Sequence, residues 1–87
     1  MILRETSKFS KLRKKLKSQA ERESLKAAVF AIRDNPLIGK KLKGELEHLR
    51  SYSYQAGGQA RRVVYLFEQD QEAITLFSFG PRQGIYK

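Results

Sequence analysis

Two apolar runs in the last third of the chain, Arg61-Arg62-Val63-Val64-Tyr65-Leu66-Phe67 and Ala73-Ile74-Thr75-Leu76-Phe77-Ser78-Phe79, constrain its fold most. Both are rich in β-branched and aromatic residues. The polar Glu68-Gln69-Asp70-Gln71 between them is short, so the pair predicts a β-hairpin. Upstream, Leu46 to Tyr54 alternates, with Leu49, Ser51 and Ser53 on one face and Arg50, Tyr52 and Tyr54 on the other. Gly57-Gly58 then turns the chain toward the first run, and Met1 to Glu5 reads as a short opening strand.

Helical spacing fills the first half. Thr6 or Ser7 offers an N-cap, after which Phe9, Leu12 and Leu16 recur at i, i+3, i+7 among lysines. The pattern breaks around Ser18 to Ala20. It resumes with Leu25, Ala28, Val29 and Ile32, and Asp34-Asn35-Pro36 stops it because the residue before proline avoids helical angles. Gly39 to Gly44 reads as a basic connector, with no Walker spacing to mark a phosphate loop. The predicted fold is α+β, one domain over residues 1–87. An N-terminal antiparallel helix pair packs on one face of a small, mainly antiparallel sheet of three to four strands. The opposite face is left for function.

The net charge of +9 sits entirely in residues 1–44, which hold 13 Lys/Arg against 4 Asp/Glu, whereas residues 45–87 balance at 5 against 5. Lysine dominates the first half. Arginine supplies every basic residue of the second half before Lys87. Lysines suit long-range attraction to a polyanion or a solvated helix face; arginine's planar fork matches phosphate oxygens. With no cysteine a thiolate metal site is excluded, with one histidine (His48) a His-based one is close to impossible, and no metal or cofactor is expected. No apolar stretch approaches the roughly 20 residues of a membrane span. Met1-Ile2-Leu3-Arg4 runs straight into polar sequence, so no secretory signal and a cytoplasmic location are expected.

If the two apolar runs pair, Arg62, Arg82 and Tyr86 converge on one patch. In-line RNA cleavage must stabilise a phosphorane and move two protons. Arg62 and Arg82 suit the first task. Tyr86 suits proton work or base stacking, two roles that stay open, since a phenol titrating near 10 needs help to act as a base. Arg50, Tyr52, Arg61, Lys40, Lys41 and Lys43 are candidate RNA contacts. Bland roles compete: Arg61 and Arg62 as edge-strand charges, Arg82 as a partner for Glu47, Tyr52 as sheet packing. His48, beside Glu45 and Glu47, reads as a surface residue.

The order of these pieces resembles the RelE/ParE superfamily of toxins from type II toxin–antitoxin pairs. The Lys/Leu-rich helix pair carries the resemblance, with Asn35-Pro36, Gly39, Leu42-Lys43-Gly44, Arg62-Val63-Val64-Tyr65 and Gly80-Pro81-Arg82 followed by Tyr86. It implies metal-free, ribosome-dependent cleavage of messenger RNA through attack by the ribose 2′-hydroxyl, with Arg62, Arg82 and Tyr86 at family positions. The family's basic residues on the preceding strand would map near Arg50 and Tyr52, of which only the first is basic. The implied partners are a cognate antitoxin wrapped over residues 8–17 and 25–32, the ribosome and its messenger. Two alternatives remain: a ParE-like DNA gyrase inhibitor, and an inactive basic nucleic-acid-binding domain.

Overall fold

The computed structural model describes residues 1–81. The element order is β1 (Ile2–Glu5), α1 (Ser7–Lys14), α2 (Gln19–Asp34), β2 (Lys40–Lys41), β3 (Arg50–Ala56), β4 (Gln59–Glu68) and β5 (Ala73–Pro81). The strands form one sheet in the order β1-β5-β4-β3-β2. Among the described residues only the β1–β5 pair is parallel.

Both helices begin where hydroxyls can cap them. Thr6 Oγ1 accepts the Phe9 amide at 3.1 Å and donates to the Phe77 carbonyl at 2.9 Å, so one side chain starts α1 and ties it to β5. Ser18 caps α2 by accepting the Glu21 amide. Phe9 from α1 and Leu25, Ala28 and Ile32 from α2 are buried against Val63, Tyr65, Ile74, Leu76 and Phe79 of the sheet. Phe9 meets Phe79 edge-on, with centroids 5.0 Å apart. The expected helix pair on one face of the sheet is therefore present.

Two turns set the strand register. Gly57 and Gly58, both at positive φ, make a two-residue turn that places Ala56 opposite Gln59. Between β4 and β5, Val64 opposes Ser78 while Tyr65 opposes Leu76, so Phe77 is an extra residue in a β-bulge. The bulge lets Phe79 and Leu76, three apart in sequence, both reach the helix side.

The sheet has five strands, one more than the upper expectation. The addition is β2, within the segment read as a connector. At two residues it is too short to show any alternation. It forms because the Leu42 amide reaches the Leu49 carbonyl at 3.0 Å, pairing Lys40 with Ser51 and Lys41 with Arg50. The strand expected from Leu46 begins only at Arg50. Ahead of it Gly44, at φ 68°, opens a 3-10 turn over Gly44–Leu46, and the Leu49 amide bonds back to Leu46.

Candidate functional site

Directly opposed residues of an antiparallel pair share a face of the sheet. Arg50, Tyr52 and Tyr54 oppose Tyr65, Val63 and Arg61, and this set lies on the helix side. Ser51 and Ser53 oppose Val64 and Arg62 on the other side, where Lys40 joins them through its pairing with Ser51. That second face holds a groove of about 450 Å³, whose lining includes Lys40, Lys41, Lys43, Ser51, Tyr52, Ser53 and Arg62.

The sequence candidates thus divide. Arg62, Lys40, Lys41 and Lys43 line the groove. Arg61 faces the opposite way, its Nη2 donating to Glu21 Oε1 of α2 at 2.6 Å. Arg50 donates to the Gly39 carbonyl at 2.8 Å, which braces the turn leading into β2. Tyr52 packs against the core from the helix side and also contributes to the lining of the groove. Arg82 and Tyr86 lie outside the described residues.

On β3, Ser51, Ser53 and Gln55 share the face of Arg62, whereas Arg50 and Tyr52 lie on the helix side. The signal was available: a two-residue turn at Gly57-Gly58 sets Ala56 opposite Gln59, and counting back places Ser53 opposite Arg62. Ser51 is buried, and among the described residues its Oγ has no hydrogen-bond partner.

The turn beneath the lysines is held firmly. Tyr65 is fully buried, and its hydroxyl accepts from the Gly39 amide at 3.0 Å and donates to the Pro36 carbonyl at 2.7 Å. Burial raises the Tyr65 phenol above its ordinary range, against the opposing pull of the Gly39 bond and the Arg50 charge. Tyr54 is pushed up to about 12, again mainly by burial. Both phenols therefore stay protonated near neutral pH and act as structural groups rather than bases. Among the described residues no cluster of His, Asp or Glu could hold a metal, and no helix is long and apolar enough to cross a membrane.

A second cavity, of about 610 Å³, lies between the helices. Phe9, Leu16, Leu25, Val29 and Leu76 contribute apolar lining, and Arg13, Lys14, Arg22 and Lys26 contribute basic groups. This is the side on which an antitoxin contact was expected.

A family model described as ParE-like toxin of type II bacterial toxin–antitoxin system matches residues 3–87. The isolated RelE toxin of E. coli is 23% identical, with 98% of this chain and 89% of that chain covered and a TM-score of 0.75. The intact E. coli RelBE toxin–antitoxin complex contains a chain 20% identical, with 94% and 96% covered and a TM-score of 0.74. The archaeal RelE–RelB complex of Pyrococcus horikoshii gives 18% identity, 95% and 96% coverage and a TM-score of 0.68. No curated protein gives a significant match. These structures share the helix pair and sheet described above, and the family model spans nearly the full length, so the chain belongs to the ParE-like toxin family of type II bacterial toxin–antitoxin systems.

Proposed function

We propose that this toxin is a ribosome-dependent messenger RNA endoribonuclease of the cytoplasm, held in check by a cognate antitoxin. The observation that carries the reading is the groove on the sheet face opposite the helices, where Arg62 shares its wall with Lys40, Lys41 and Lys43. In the reaction, the ribose 2′-oxygen attacks the adjacent phosphorus and the bond to the 5′-oxygen breaks. One proton leaves the 2′-hydroxyl and one reaches the departing 5′-oxygen, yielding a 2′,3′-cyclic phosphate and a 5′-hydroxyl end. Arg62 stabilises the negative charge that grows on the phosphorane oxygens. Arg82 is proposed to assist it, and Tyr86 to move a proton or stack on a base. Arg61 and Arg50 serve the fold, since their guanidiniums already bond Glu21 and Gly39. The apolar cavity between the basic helices supports an acidic, amphipathic antitoxin segment as the inhibitor.

Primer extension on ribosome-bound messenger tests this reading. The wild-type chain is expected to cut within the decoding site, and Arg62→Ala to lose about 100-fold or more in rate, the usual loss of a transition-state charge contact. A ParE-like DNA gyrase inhibitor is the second reading, in keeping with the match to a ParE-like toxin model. Inhibition of DNA supercoiling without any cut in ribosome-bound RNA would establish that reading instead.

A further inference from the structure

We propose that Lys40 is the second cation on the scissile phosphate, placed across the Ser51–Ser53 floor from Arg62; this rests on the RNA-cleaving reading above. The residues of β3 that share a face with Arg62 are Ser51, Ser53 and Gln55, so the strand beside it brings no charge to that face. The charge comes from one strand further out. Lys40 is directly opposite Ser51, and Arg62 directly opposite Ser53, so all four side chains rise from the same face. Lys40 and Arg62 stand two strand spacings apart and two residues offset. Their Cα atoms are thus about 12 Å apart, a gap that two long side chains close onto one phosphate group.

The position of Lys40 is fixed by its neighbours. Gly39 bonds to Tyr65 through its amide and to Arg50 through its carbonyl, and Leu42 bonds to Leu49. Between the two cations lies Ser51, 7% exposed, whose Oγ has no hydrogen-bond partner among the described residues. A buried hydroxyl left this way is costly and calls for an explanation. A small turn of the Ser51 side chain toward the groove it lines would present this hydroxyl to a phosphate oxygen held between Lys40 and Arg62. Lys41, one residue along, opposes Arg50 and so roots on the other face, although it also borders the groove. Equal charges in adjacent positions therefore have different duties: Lys40 acts on the transition state, Lys41 on general attraction.

The test compares Lys40→Ala, Lys40→Arg and Lys41→Ala, each of known folded content by circular dichroism. In single-turnover cleavage of ribosome-bound messenger, Lys40→Ala is expected to lower kcat about 100-fold, with Lys40→Arg recovering part of it. Lys41→Ala is expected to raise KM with kcat retained. Binding of a 2′-O-methyl single-stranded RNA, which cannot be cut, is measured in parallel against salt. Lys40→Ala should reduce the salt slope by about one ion and be non-additive with Arg62→Ala. A Lys40→Ala effect confined to KM, or strict additivity with Arg62→Ala, overturns the inference. If the wild-type chain cuts no RNA, the endoribonuclease reading fails, and additivity in the binding cycle alone decides whether Lys40 and Arg62 share a phosphate.

Discussion

The amide of Gly39 donates to the phenolic oxygen of Tyr65 at 3.0 Å, and a Cβ on Gly39 would lie 2.7 Å from that same oxygen. The core of the sheet and the turn that launches β2 are therefore in contact with no space between them. Tyr65→Phe leaves the Gly39 amide and the Pro36 carbonyl without their shared partner, and a loss of about 1–3 kcal/mol in urea denaturation is expected. Gly39→Ala must push the Tyr65 ring or the β2 backbone aside. It is expected to destabilise by a comparable amount and to lower RNA affinity, because Lys40 moves with the turn.

Arg61 and Arg62 are adjacent yet root on opposite faces, so their substitutions should separate. Arg61 and Glu21 are mostly buried, with side chains 19% and 27% exposed, and their 2.6 Å contact joins β4 to the start of α2. Arg61→Ala is expected to cost about 1–3 kcal/mol in thermal unfolding. In a double-mutant cycle with Glu21→Ala, a coupling of at least about 0.5 kcal/mol is expected. Arg62→Ala should act on RNA cleavage instead. Equal activity losses for the two variants, with no coupling of Arg61 to Glu21, would contradict this division.

At the N-terminal edge, Arg13 grips Glu5 with two bonds, Nε to Oε2 at 3.1 Å and Nη2 to Oε1 at 2.8 Å. The guanidinium holds the Glu5 carboxyl below the usual carboxylate range. Because the folded value is the lower one, the contribution to stability is complete above the ordinary glutamate value near 4.3. It is lost as pH falls through the folded value. Both side chains are substantially solvated, so the effect on stability is small. The sensitive measurement is a carbon NMR titration of Glu5, whose midpoint is expected to rise in Arg13→Ala.

Helical and strand periodicity, caps and breakers by themselves determined the α+β fold, the helix pair and the two hairpins, because each is a local pattern. Phe9, Leu25, Ala28 and Ile32 were legible as one apolar side at 3.6-residue spacing, and the Gly57-Gly58 and Glu68–Gln71 turns as hairpin ends. The family pattern, too, is spread along the chain order that the sequence displays.

Tertiary structure alone decided which face each candidate serves. A shift of one residue in strand register carries every side chain to the other side of the sheet, and alternation cannot say which side the helices will cover. Hence Arg61 went to Glu21, Arg50 to Gly39 and Tyr52 to the core. Lys40 reached the face of Arg62 through a two-residue strand, formed by backbone hydrogen bonds to a segment ten residues away rather than by any repeat in its own sequence.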